Sequence, residues 1–264
     1  MNRRTFCCTC AGGLLVSAKI GIAFADWTDR AVGQNVPRPS LSDNKTRNVS
    51  QVDFVGCHLN ASREDASNQI ALSRTTGNAL LDAGMSREYD VLCAQLAVRP
   101  GLFMFDDPSP NAFATPEIIG DHPFPDGTVC FGSNLMISEF RYHKSQGGRF
   151  DHVMAAIMAH EWAHIMQFKA LSEFHPGKQI ELQADQMAGW YMGVRALQTY
   201  GAVDLRSALI GFFRKGDYHF NDSGHHGTPE DRGMAFQRGL MSAQIGLDLT
   251  QAFRRAASEC GVST

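Results

Sequence analysis

The apolar positions along the chain predict a mostly helical protein with a few short strands. Residues 60–97 carry apolar side chains at helical intervals, and we predict two helices there. Residues 102–105 and 127–131 are short apolar runs beside turn residues and are predicted to be strands. Everything beyond residue 131 has a helical pattern, apart from loops near 143–150, 171–178 and 215–227. We therefore expect an α+β fold with a small mixed sheet.

The segment at residues 151–170, DHVMAAIMAHEWAHIMQFKA, is predicted to be a long helix with Asp151 as its N-cap. His160 and His164 are four residues apart, so they lie on the same side of this helix. Two imidazoles one turn apart can bind a single zinc ion, and Glu161 beside the first can reach a water on that ion. The alternative is a pair of buried histidines with ordinary hydrogen-bond partners.

A third ligand is predicted on the next helix, which we expect to begin near Gln179. Glu181 and Asp185 lie one turn apart there. A catalytic zinc ion takes three protein ligands, and Glu181 can complete the set. Asp185 is then placed to accept the other ring N–H of a ligand histidine. The alternative is an acidic surface in contact with solvent. The predicted cofactor is one Zn²⁺ ion.

Both helices resemble those of bacterial neutral zinc metallopeptidases, a gluzincin group with a zincin-like fold. The resemblance rests on His160-Glu-Trp-Ala-His164, on Glu181-Leu-Gln-Ala-Asp185 and on the later His226-Gly-Thr-Pro-Glu-Asp-Arg232. Upstream, Asn111-Ala-Phe-Ala114 and the strand near 128–131 resemble a strand of HtpX-like membrane peptidases. The resemblance covers roughly residues 100–240.

This resemblance implies roles for residues outside the two helices. His226 would steady the transition state with Arg232 as its support, and Asn111 would contact the substrate backbone. An extended peptide binds by adding to an exposed strand edge, and we predict that residues 127–131 form an edge strand beside the active-site helix. The alternatives are a loop histidine before a helix capped at Thr228 and an asparagine that only forms a turn.

The first 25 residues have the pattern of a twin-arginine export signal. Arg3 and Arg4 precede an apolar stretch, and two small-x-small sequences offer possible cleavage sites, one after Ala18 and one after Ala25. We favour cleavage after Ala25, which places the mature protein in the periplasm or outside the cell. Residues 26–52 are polar and are predicted to be an extended segment, either a loose tail or an inhibitory pro-segment. The peptidase domain is expected at 53–264.

Composition narrows the possible partners. The chain is 44% hydrophobic and 19% charged, which is typical of a globular protein. Beyond residue 25 it has 21 basic and 27 acidic residues, which argues against nucleic-acid binding. No apolar run is long enough to span a membrane. Four cysteines remain after the signal, and they predict either one or two disulfides or buried thiols: Cys57, Cys93, Cys130 and Cys260.

Three functions fit these residues. We predict an exported zinc peptidase that hydrolyses peptide bonds of a peptide or protein substrate through a zinc-bound water, with Glu161 as the base. The alternatives are a periplasmic zinc-binding or assembly protein without turnover and a zinc hydrolase that acts on a non-peptide amide. The oligomeric state is not predicted.

Overall fold

Seven helices and five strands make up the part of the chain that the structure, a computed structural model, describes. That part comprises residues 57–58, 71–171, 173–199, 203–218 and 226–263. The predicted signal at 1–25 and the segment at 26–52 lie outside it. The strands are β1 (Cys57–His58), β2 (Leu72–Ser73), β3 (Gly101–Phe105), β4 (Ala112–Thr115) and β5 (Thr128–Gly132). The helices are α1 (Ala79–Leu96), α2 (Ser133–Ser145), α3 (Phe150–Ala170), α4 (Lys178–Gln198), α5 (Leu205–Phe213), α6 (Pro229–Gln244) and α7 (Leu249–Cys260).

The strands form one mixed sheet in the order β1-β4-β5-β3-β2. β3 and β5 are parallel, and the other pairs are antiparallel. The prediction that residues 127–131 form an edge strand is therefore wrong, because β5 lies at the centre with β4 on one side and β3 on the other. All five residues of β5 are buried. Such a continuous apolar run is typical of a strand covered on both faces.

Helix α3 lies at the centre of the molecule. It packs against β4 and β5 on one side and against α4 and α5 on another. Every residue from Phe150 to Ile165 is buried, as expected for a helix enclosed on all sides. Among the described residues, no helix is both long enough and apolar enough to cross a membrane.

Helices α4 and α6 approach each other closely at two glycines. A Cβ at Gly189 would lie 2.0 Å from the carbonyl oxygen of Phe236, and one at Gly239 would lie 1.9 Å from that of Gln186. Only glycine permits the two backbones to come this near. The close approach brings the side chain of Arg232 on α6 against Asp185 on α4.

Several predicted element boundaries change in the structure. Only one helix, α1, is found in the described part of residues 60–97, and it follows a turn in which the Asp82 carboxylate accepts hydrogen bonds from Thr76. Asp151 is not the N-cap of α3, because the helix begins at Phe150 and Arg149 precedes it. Helix α4 ends at Gln198 and α5 begins at Leu205, whereas no break between two helices was predicted there. The predicted N-cap of α6 at Thr228 is confirmed.

The cysteines that the structure describes are free thiols. Cys93 and Cys260 are partly buried, and Cys130 in β5 is fully buried. Burial raises the pKa of each of these thiols above its usual value. The sequence predicted either disulfides or buried thiols, and at these three positions the structure has thiols. The side chain of Cys57 lies outside the description.

Candidate metal centre

His160, Glu161 and His164 all lie on the buried helix α3, and Glu181 lies in the first turn of α4. The two imidazoles are one turn apart, with ring centroids separated by 4.5 Å. The exposed fraction is no more than 1% for any of the four residues. The pairing of α3 with α4 thus brings Glu181 to the two histidines across a loop of seven residues, 171–177.

The three candidate ligands have the spacing of a tetrahedral metal site. The Nε2 atoms of His160 and His164 are 2.9 Å apart. The carboxylate of Glu181 lies 3.3 Å from the first of these nitrogens and 3.5 Å from the second. Neighbouring ligands of a tetrahedral ion with bonds of about 2.05 Å are about 3.3 Å apart. The two nitrogens are slightly closer than this value, and the two Glu181 distances go to different oxygens, Oε2 and Oε1, so small side-chain adjustments would let the two imidazoles and the carboxylate bind one metal ion.

Asp185 holds the far side of His160. Its Oδ1 lies 2.9 Å from Nδ1 of His160, and this ion-pair contact leaves Nε2 of the ring on the side of Glu181. Arg232 in turn binds Asp185 through two hydrogen bonds, of 2.8 and 2.7 Å. Such a fork-like pair fixes a carboxylate in one orientation. The ring of His160 is thereby held by a chain of buried groups that extends to α6.

The pKa values of the two histidines shift in opposite directions, and that of Glu181 is lowered. Burial lowers the pKa of His160, but the carboxylates of Asp185 and Glu181 outweigh this effect and raise it to about 9. Burial lowers the pKa of His164 to about 4. Burial raises that of Glu181, but the charges of His226 and His164 hold it well below its usual value. Asp185 faces Nδ1 of His160 and Glu181 faces Nε2, so a metal cation would be shared by Nε2 and the Glu181 carboxylate while the contact at Nδ1 stays in place.

Glu161 stands apart from these ion pairs. Neither of its carboxylate oxygens has a hydrogen-bond partner among the described residues, although both are fully buried. Burial raises its pKa to about 8. A buried carboxyl group without partners is rare in folded proteins and is typical of a group that acts on a ligand.

His226 and Arg232 also meet at Glu181. The Nδ1 atom of His226 lies 3.2 Å from Oε2 of Glu181, and 16% of the His226 side chain is exposed. Arg232 is fully buried, and its Nη2 lies 3.5 Å from the same oxygen. His226 therefore stands at the solvent side of the cluster. Arg232 lies behind Asp185, which places it as a support for the ligands rather than as a substrate contact.

Asn111 belongs to the framework of the sheet. It immediately precedes β4, its backbone N–H donates to Asp107, and its carbonyl accepts from Gly132. These bonds join the start of β4 to the end of β5. The structure does not bring Asn111 into the ligand cluster, and the predicted contact with substrate stays a prediction.

Sequence reasoning missed three residues around the centre. Phe212 on α5 lies against His160, at 5.7 Å between ring centroids. Lys215 accepts a hydrogen bond from Arg232 through its backbone carbonyl. Gln167 contacts Nδ1 of His164 at 2.7 Å. Only Gln167 had a signal in the sequence, as a polar residue one turn beyond His164 in an otherwise apolar helix.

Comparison with known proteins assigns neither a family nor a function to this chain. No family model, no curated protein and no solved structure matches this chain. The geometry of the ligands is therefore the basis for a function.

Proposed function

We propose that this protein is a zinc-dependent peptidase. The observation that carries the proposal is the convergence of His160, His164 and Glu181 at tetrahedral spacing, with the unpartnered carboxylate of Glu161 on the same helix turn. Two imidazoles and one carboxylate are a ligand set typical of catalytic zinc, which keeps its fourth position for water or substrate. Glu161 would supply there the carboxylate that hydrolysis needs as a base.

Each residue around the centre has a task in amide hydrolysis. When bound, the divalent ion supplies Lewis acidity that activates water and polarises a carbonyl oxygen. Glu161 accepts the proton from the attacking water and later delivers it to the leaving nitrogen. Burial raises its pKa to about 8, and the positive charge of a bound divalent ion would lower this value and favour the ionised carboxylate that accepts the proton. His226, at the solvent side, donates a hydrogen bond to the oxygen on which negative charge develops.

We further propose that the substrate is a peptide or protein and that the enzyme acts outside the cytoplasm. The substrate class follows from the ligand set and the resemblance of the two helices to zinc metallopeptidases. The location follows from the twin-arginine pattern of residues 1–25.

The decisive experiment compares Glu161→Gln with the wild-type mature chain. We expect Glu161→Gln to bind one zinc ion per chain while its cleavage of unfolded casein falls by about 10²–10⁴-fold. Glu173→Gln is the matched control, because Glu173 is exposed in the loop after α3. It should retain both zinc and cleavage. His164→Ala should lose zinc. Cleavage by Glu161→Gln at the wild-type rate, or equal zinc in the wild type and His164→Ala, would refute the proposal.

A second candidate is a zinc-binding protein without turnover. It is favoured by the deep burial of all three ligands, since catalytic sites need access for substrate. The same experiment separates the two candidates. Stoichiometric zinc with no cleavage of casein by the wild-type chain would support the binding protein, whereas cleavage that depends on Glu161 would support the peptidase.

A further inference from the structure

Gln167 forms a buried hydrogen-bond junction between the two ligand-bearing helices. It lies on α3, three residues after His164, and its side chain is completely buried. Its Oε1 lies 2.7 Å from Nδ1 of His164. Its Nε2 donates to the carbonyl of Ile180 at 2.8 Å and to Oε1 of Gln183 at 3.1 Å. Ile180 and Gln183 flank the ligand Glu181 on α4.

These contacts fix which end of the Gln167 amide faces His164. The carbonyl of Ile180 can only accept a hydrogen bond, so the NH₂ end of Gln167 must point toward it. The oxygen end then points to Nδ1 of His164, and an oxygen acceptor requires that Nδ1 carry the proton. The neutral imidazole therefore presents the lone pair of Nε2 to His160 and Glu181, as a metal ligand must.

We propose that Gln167 is a positioning residue for the metal centre, which selects the tautomer and the ring orientation of His164. The inference rests on the proposed zinc site and deepens it. Asp185 has the same task for His160, but through a charged group. A neutral amide orients the second imidazole without adding another negative charge to a region that already buries the carboxylates of Glu181 and Asp185.

The test uses two substitutions of Gln167. Their expected effects on zinc binding are opposite if Gln167 positions His164 and if it only fills space. Gln167→Met keeps the volume and removes the hydrogen bonds. Gln167→Glu keeps an acceptor for Nδ1–H, and the Gln183 amide can turn to donate to it. Gln186→Met is the matched control, because Gln186 is a buried glutamine on α4 that contacts Cys260 instead of the centre.

Two measurements read out the effect. Zinc affinity is measured by competition with a chelator, and the tautomer of His164 is measured by ¹⁵N NMR of histidine-labelled protein in excess EDTA. We expect Gln167→Met to weaken zinc binding about 10–100-fold and to shift His164 away from the Nδ1–H tautomer. Gln167→Glu should keep the wild-type tautomer and bind zinc more tightly than Gln167→Met. Gln186→Met should match the wild type in both measurements.

The reverse order would overturn the inference. If Gln167→Met bound zinc as the wild type does and Gln167→Glu lost it, Gln167 would only fill space. A wild-type His164 with its proton on Nε2 would also overturn it. Failure of the proposed function looks different, because the wild-type chain would then bind no zinc while the NMR experiment still reported the tautomer that Gln167 selects.

Discussion

Removing the guanidinium of Arg232 should destabilise the metal-free protein far more than the loss of an ordinary arginine. Arg232 is fully buried and binds both oxygens of Asp185. Burial lowers its pKa, but the carboxylates of Asp185 and Glu181 outweigh this and raise it, so the side chain is always charged. In Arg232→Met, Asp185 loses the cation that binds both of its oxygens, and Glu181 loses a buried cation 3.5 Å away.

The size of the effect follows from the burial of the pair. Breaking a buried ion pair by removing one partner costs about 3–5 kcal/mol, because the remaining charge is left without compensation. For a domain of this size, 1 kcal/mol corresponds to about 2–4 °C, so the unfolding temperature should fall by roughly 10 °C. Bound zinc adds positive charge beside the same carboxylates. The loss should therefore be clearly smaller with zinc than with EDTA.

The assay is thermal and urea unfolding of Arg232→Met, with zinc and with EDTA. Arg238→Met is the control, since Arg238 is exposed on the same helix. Asp185→Asn in the Arg232→Met background should recover part of the lost stability, because it removes the uncompensated charge. If Arg232→Met in EDTA stayed within about 1 kcal/mol of Arg238→Met, the buried pair would not have the importance that we assign to it.

Two further predictions concern parts of the fold that position the centre. Glu139 is buried against Lys215, Arg214 and His143; burial raises its pKa, but these groups outweigh it and lower the value from 4.5 to about 2. The ionised Glu139 therefore stabilises the fold fully above pH 4.5, and this stabilisation is lost as the pH falls toward 2. In urea unfolding, Glu139→Gln should lower the free energy of unfolding by about 3 kcal/mol at pH 7 and by less than half of that at pH 3. A cost that did not change with pH would contradict this. Gly189→Ala places a Cβ 2.0 Å from a carbonyl oxygen and should cost about 1–3 kcal/mol in the same assay, whereas Gly233→Ala, with 3.5 Å of space on α6, should be neutral or slightly stabilising.

The pair of histidines and the pair of acidic residues could each be predicted from the sequence because their spacing depends on local geometry, whereas the contact between the two pairs depends on how α4 packs against α3. A spacing of four residues puts His160 and His164 on one side of any helix, and the same rule relates Glu181 to Asp185. The starts of α4 and α6 follow from local signals as well. Thr228 and Pro229 form an N-cap and a first helical position that need no tertiary information.

The strand order could not be predicted because it depends on contacts between distant segments. Residues 127–131 have the same apolar character whether they form an edge or a central strand, and only the parallel pairing with β3 decides between the two. The position of Arg232 is similar. A buried arginine and an exposed one look alike in the sequence, and the partner of Arg232 lies 47 residues away. The buried residues of α6 include both Arg232 and Gly239, the glycine that contacts α4.

The balance of buried charge links the fold to the kind of ion that the centre fits. Glu181 and Asp185 are buried in one region against the guanidinium of Arg232. Buried charges persist in proteins when they are compensated, and the proton on His160 balances the second of these carboxylates, while burial keeps a proton on Glu161 by raising its pKa to about 8. A divalent ion between His160, His164 and Glu181 would replace the proton on His160 and add one further positive charge, which would favour the ionised form of Glu161. The ion and the guanidinium would then balance all three carboxylates, whereas a monovalent ion would not. The arrangement therefore suits a divalent cation better than a monovalent one on charge alone, independently of the tetrahedral spacing of its ligands.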